Sequence, residues 1–402
     1  MTRFASRLDN VQASAIRELF ALLGKPGIIS FAGGFPDAAL CDAEGIAAAS
    51  QQAISRYPMV ALQYGASEGF APLREWIAGS MSSPGAATEA ARIVVTTGSQ
   101  QAIDLLGKVL LEPGDVALVE QPTFLATIQA FRLYGARLIG IPTDADGADV
   151  DALERLIAQH SPKLVYLIPT FGNPSGGLMT QERRRRVVEI ARHAPQTVFV
   201  EDNPYGELWF DRPPPASIYS VAAADRELVD RFVYLGSFSK ILTPGLRCGW
   251  MAAPADLLAR AVMVKQFADA NTSTLAQVTT YCYLDSGRLP ATVERVRRVY
   301  SDRARAMGDA LDAKFPVNSL RFERPQGGLF YWVRVAGDVD APKLIRAGVD
   351  RGVAVVPGSA FYAEQPDAQT MRLSFATAGS DAIEQGVARL ADAYRELGGR
   401  PS

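Results

Sequence analysis

A chain of 402 residues is long enough for two domains with a sizeable core in the larger, and a net charge of −2 with a pI near 5.9 leaves no basic footprint for nucleic acid. Apolar residues make up 48% and charged residues 21%, the balance of a soluble globular protein, with no run of about 18 uncharged apolar residues to cross a membrane. Three scattered cysteines, Cys41, Cys248 and Cys282, exclude a disulfide framework, and the two histidines, His160 and His193, argue against a zinc site.

The first twenty residues mix charged and apolar positions without the apolar core of a signal peptide, so a cytoplasmic protein is expected. Residues 11–24 read as a short amphipathic helix that breaks at Gly24-Lys25-Pro26-Gly27. Paired glycines before a proline, in Gly33-Gly34-Phe35-Pro36, mark a turn where backbone approaches something closely. A helical stretch over 41–56 precedes the isolated Tyr64 of Gln63-Tyr64-Gly65.

From Arg92 onward strands and helices alternate. The strand over 93–97 empties into Gly98-Ser99-Gln100-Gln101 and a helix reaching 111. That is a recipe for an anion site, because free N–H groups and the helix dipole point at the bound charge. The strand over 116–120 ends at a Pro122-Thr123-Phe124 corner. Strands follow over 136–141 and 164–168, and the second leads into a turn at Asn173-Pro174. The carboxyl end of a strand is where α/β sheets place ligands. The arginine run 183–186, behind a plausible helix cap at Thr180, reads as a solvated helix face.

The strand over 197–202 ends on Asp202, followed by Asn203-Pro204-Tyr205. An acid at the end of a buried strand is expensive to keep charged without a cationic partner. The next apolar run, 232–235, breaks into Gly236, Ser237 and Ser239 and delivers Lys240, with Arg247 seven residues on and Cys248 read as packing. Seven lysines stand against 34 arginines, so a lysine flanked by hydroxyls is not casual surface charge. A partly desolvated lysine has a lowered pKa and can form a Schiff base with a carbonyl cofactor. Two serine hydroxyls and an arginine beside it make a phosphate site. Together they point to pyridoxal 5'-phosphate. After about Ser286 the pattern changes to a long charged helix over 291–311, a turn entering a strand over 325–332, a strand over 353–356, and Met371-Arg372-Leu373-Ser374-Phe375 with its arginine inside a strand pattern.

Ser237-Phe238-Ser239-Lys240, then Pro244-Gly245-Leu246-Arg247-Cys248-Gly249-Trp250, resembles the lysine segment of the class I and II (fold type I) aminotransferases, and further matches run from about Gly33 to Arg372. The resemblance implies an α/β fold: a mostly parallel central sheet in a large cofactor-binding domain over 45–288, and a smaller α/β domain from 1–44 and 289–402. It implies that Lys240 anchors pyridoxal 5'-phosphate and moves the substrate proton, while Asp202 keeps the ring nitrogen protonated. Tyr205 and Asn173 would meet the phenolic oxygen, and Phe124 the ring face. Gly98, Ser99, Gln100, Ser237, Ser239 and Arg247 would hold the phosphate, joined by Tyr64 from the other subunit of a homodimer. Arg372, with Asn173, would bind the substrate α-carboxylate, and Gly34 would lie along the substrate. Amino acids and 2-oxo acids are the implied substrates, with no metal, nucleic acid or membrane partner.

The segment 31–36 and the Pro-Thr-Phe corner look most like the branch that includes 2-aminoadipate and kynurenine aminotransferases and the MocR-type regulators. Fold does not fix chemistry, so a β-lyase, decarboxylase or racemase on the same scaffold is the alternative. An effector-binding module fused to a winged helix is disfavoured, because only about 30 residues precede the glycine pair.

Overall fold

The computed structural model describes residues 4–8, 27–337 and 339–399, so the helix expected over 11–24 lies outside the described residues. In chain order the first strands are β1 (Ile29–Ser30), β2 (Ile93–Thr96), β3 (Val116–Gln121), β4 (Arg137–Asp144) and β5 (Gly147–Ala148). They are followed by β6 (Leu164–Leu167), β7 (Val198–Asp202), β8 (Phe232–Ser237) and β9 (Gly249–Ala252). Strands β2 to β9 form one sheet in the order β2-β9-β8-β7-β6-β3-β4-β5. The run β8-β7-β6-β3-β4 is parallel throughout. Strand β9 departs from the pattern and runs antiparallel to both neighbours, β2 and β8.

Both faces of this sheet are covered, which is why its strands are continuous apolar runs rather than alternating ones. Successive side chains point to opposite faces. Val95, Leu118, Val165 and Phe199 enter one core layer, while Val94, Val119, Tyr166 and Val200 enter the other.

The helix Leu289–Lys314 then carries the chain to a second sheet. Its apolar side, Val293, Val296, Tyr300, Met307 and Leu311, keeps the three-to-four spacing of a single buried face. The remaining strands are β10 (Leu320–Phe322), β11 (Phe330–Val335), β12 (Val353–Ala354), β13 (Val356–Pro357) and β14 (Thr370–Ser374). Four of them pair antiparallel in the order β10-β11-β14-β13. Strand β12 pairs in parallel with β1, and Phe31 N donates to Ala354 O while Ser374 N donates to Phe31 O. The glycine-pair turn is thereby fastened beside β14. Among the described residues no helix is long and apolar enough to cross a membrane.

The arginine run corrects the sequence reading. Thr180 does cap the helix Gln181–Arg192, but Arg184 is fully buried rather than solvated. Helical periodicity turns it to the same side as Val187, Val188 and Ala191, so four consecutive residues cannot share one solvated face. There it donates to Met179 O (3.0 Å), Pro169 O (2.8 Å) and Thr170 Oγ1 (2.9 Å), 3.7 Å from the Glu201 carboxylate. Only Arg185 is exposed, while Arg183 and Arg186 pair with Asp144 and Glu154.

Candidate active site

The carboxyl ends of the parallel strands and the glycine-pair turn converge on Lys240. Its Nζ donates to Gly34 O at 2.9 Å and lies 5.8 Å from the centre of the Tyr205 ring. Burial, and then the nearby Arg372 and Arg247 charges, bring its pKa down to about 8 against the pull of Asp202. A neutral amine is therefore available near physiological pH.

Arg372 sits in the middle of β14, opposite Trp332 and Val356, and is 3% exposed. Nη1 donates to Asn173 Oδ1 and Nη2 to Ala32 O, both at 2.8 Å. The guanidinium lies 4.4 Å from the centre of the Phe330 ring and 5.0 Å from that of Phe361. Its Nε has no protein partner, and burial lowers its pKa to about 10. A buried cation without a carboxylate is an incomplete ion pair. Gly34 lies beside that face, where a Cβ would rest in ordinary contact, 3.5 Å from both Nη1 and the Phe330 ring.

Asp202 closes β7 and is buried. Its Oδ2 accepts a 2.5 Å hydrogen bond from the Tyr166 hydroxyl, while Oδ1 has no protein partner. Burial pushes its pKa up to about 7, with Tyr166 and Lys240 acting in the opposite direction. A cation placed against Oδ1 would complete the group.

The Gly98 turn joins a strand to a helix start. Gly98 (φ 78°) starts the helix Ser99–Leu110, and a Cβ there would fall 2.8 Å from Arg247 Nη2. Arg247 Nη2 also contacts Thr97 O at 3.4 Å, and Ser237 Oγ accepts from Ser239 N at 3.1 Å. A cavity of about 1030 Å³ opens against Trp76, Trp209, Tyr234 and Trp250; Ser237 lines it, whereas Lys240, Asp202 and Arg372 do not.

The sequence pattern of the family described as aminotransferase class I and II matches residues 32–390. The chain belongs to that family. It is 41% identical to a 2-aminoadipate transaminase of Thermus thermophilus over 98% of this chain and 97% of that protein. It is 37% identical to aromatic-amino-acid aminotransferase 1 of Thermococcus litoralis, covering 98% and 94% of the two chains. Among solved structures, a Pyrococcus horikoshii kynurenine aminotransferase superposes with a TM-score of 0.91 at 37% identity, over 98% of this chain and 97% of that one. These relatives agree with the branch expected from residues 31–36 and the Pro-Thr-Phe corner.

In this aminotransferase, hydrogen bonds join Lys240 to Gly34 and Arg372 to Asn173, and Arg247 reaches the carbonyl of Thr97, the residue before Gly98. Tyr205 stacks edge-on against Phe330 at 5.9 Å. Phe124 stands half-buried ahead of the helix Leu125–Leu133, and the adjacent Thr123 N donates to Phe361 O. Gln100 is exposed at the start of its helix, and Tyr64 is 85% exposed. Sequence reasoning missed Tyr166. The signal was a hydroxyl-bearing aromatic in the apolar strand Leu164–Leu167, paired with Val200 and hence on the same side of the sheet as Asp202.

Proposed function

We propose that this aminotransferase uses Lys240 to hold pyridoxal 5'-phosphate and works as a homodimer, exchanging the amino group of an α-amino acid with the oxo group of a 2-oxo acid. The observation that carries the reading is a pair of buried, unpartnered polar atoms, Asp202 Oδ1 and Arg372 Nε, in the same site as a lysine of depressed pKa. One calls for a cation and the other for a carboxylate.

These residues fit the cofactor. Asp202 would hold its ring nitrogen, Tyr205 and Asn173 its phenolic oxygen, and Phe124 its ring face. Gly98, Ser99, Gln100, Ser237, Ser239 and Arg247 would hold its phosphate, with Tyr64 of a second copy. When bound, it supplies an electrophilic carbon for the amine and a cationic ring that withdraws electrons from the substrate Cα.

The chain's own groups do the rest. Arg372 meets the α-carboxylate with a planar fork that an ammonium cannot match, and so fixes the direction of the Cα–H bond. Asn173 and Ala32 O hold that fork in place, while Phe330 and Phe361 cover its faces and keep water from weakening the ion pair. Lys240, as the neutral amine, takes the proton from Cα and, as the ammonium, would deliver it to the cofactor carbon that keeps the amino group. Tyr166 donates to Asp202 and favours its charged form.

2-Aminoadipate, kynurenine and aromatic amino acids, the compounds in its relatives' names, are the proposed amino donors. Holoenzyme given one of these without an acceptor is expected to release one equivalent of 2-oxo acid per subunit and stop, then resume when a 2-oxo acid is added. Continuous release of ammonia or carbon dioxide would instead identify a lyase or decarboxylase.

The homodimer is supported by Met59, Leu62 and Tyr64, large side chains that all stand exposed along one short stretch. Tyr64 lines a cavity of about 380 Å³ with Asp269, Asn271 and Thr274, beside the anion turn's supporting loop. A monomer in sedimentation equilibrium at assay concentrations would overturn this part of the reading.

A further inference from the structure

Lys265 is a lysine that the mechanism leaves unused. It lies on the helix Ala255–Ala268 with its side chain fully buried. Its Nζ contacts both carboxylate oxygens of Asp269 at 2.8 Å, Thr272 Oγ1 at 3.0 Å and Gln101 Oε1 at 3.2 Å. A buried ammonium persists only where such acceptors replace its lost hydration.

What those acceptors do next links Lys265 to the anion turn. Asp269 Oδ2 accepts from Gln101 Nε2 at 2.7 Å and from Thr97 Oγ1 at 3.3 Å. Gln101 Oε1 accepts from Thr97 N at 2.8 Å. Thr97 is thus held by both its amide and its hydroxyl, immediately before Gly98, and its carbonyl takes Arg247. Behind the node, Thr272 Oγ1 donates to Val95 O at 3.2 Å, which ties it to β2. The turn is therefore shaped by a carboxylate. An uncompensated carboxylate beside a phosphate site repels the phosphate it serves.

We propose that Lys265 is a positioning residue of this aminotransferase. Through Asp269 and Gln101 it holds the Thr97–Gly98–Ser99 turn in the form that receives the cofactor phosphate, and it cancels the Asp269 charge that would otherwise oppose binding. The inference rests on the assignment of that turn to the phosphate.

The test is the rate at which holoenzyme loses pyridoxal 5'-phosphate during dialysis against inorganic phosphate, followed by cofactor absorbance. Lys265→Met leaves Asp269 uncompensated and is expected to lose cofactor about ten- to a hundredfold faster. Lys265→Met with Asp269→Asn removes both charges and keeps an acceptor for Thr97 and Gln101. Its rate is expected to return to within about threefold of the parent, a rescue that a packing role for Lys265 would not give. If Lys265→Met does not fold, Gln101→Glu adds a charge at the same node without opening a cavity, and it should speed loss at least about tenfold. Parent-like loss from Lys265→Met or from Gln101→Glu, or a double variant no slower than the single, overturns the proposal. Arg247→Ala separates the two levels: if it retains cofactor like the parent, the phosphate assignment has failed and the proposal falls with it.

Discussion

Lys240→Ala is expected to lose transaminase turnover by about 10²–10⁴-fold from loss of the proposed proton carrier alone, and by more because the proposed covalent anchor goes with it. The variant should still fold, since the side chain is only partly buried and makes one hydrogen bond, to Gly34 O. Steady-state kinetics with an amino donor and a 2-oxo acid check the loss, and near-parental turnover would remove Lys240 from the chemistry. The same residue carries a pH signature. Its amine is held at about 8, below the usual lysine value of 10.5, so between those values it is neutral while an ordinary lysine is still protonated. In cofactor-free protein, reductive methylation of Lys240 should therefore rise through about pH 8 and run ahead of that at exposed lysines. Mass spectrometry of peptides labelled across that range reads the order directly.

Asp202→Asn is the second large effect expected. The amide keeps the shape but cannot carry the charge proposed to hold the ring nitrogen protonated. A hydrogen bond to a charged group is worth about 1.5–3 kcal/mol, so kcat should fall roughly ten- to 150-fold. Tyr166→Phe is a graded companion. It leaves the carboxylate and removes only the donor on Oδ2, so the loss should be smaller. Its direction in pH is fixed by the sign of that hydrogen bond, which lowers the pKa of Asp202. Removing the donor raises that pKa, and the acid limb of the pH–rate profile should move to higher pH. An acid limb that stayed in place would show that Tyr166 does not act through Asp202.

Much of the candidate site was legible in the chain because its residues follow strand ends. Ser237, Lys240 and Arg247 lie within one strand–turn–strand segment, and Gly98 and Asp202 terminate or follow apolar runs. In a parallel sheet every such end lies on one edge, so order along the chain already predicts convergence in space. The long helix, too, was visible over 291–311 and runs from Leu289 to Lys314.

What the chain by itself determined is therefore local: which runs become strands, which turns need glycine, and which lysine stands among hydroxyls. Tertiary structure alone decided the environments. Arg372 meets Asn173 and Ala32, which lie 199 and 340 positions away, and no periodicity in residues 370–374 announces those partners. The Tyr166–Asp202 hydrogen bond spans neighbouring strands, and the burial of Arg184 and Lys265 depends on which face of each helix the sheet covers. Depressed and raised pKa values have the same origin. Desolvation and nearby charge belong to the surroundings of a group rather than to its identity, so Lys240 near 8 and Asp202 near 7 emerge only once the two sheets and the glycine-pair turn have closed around them.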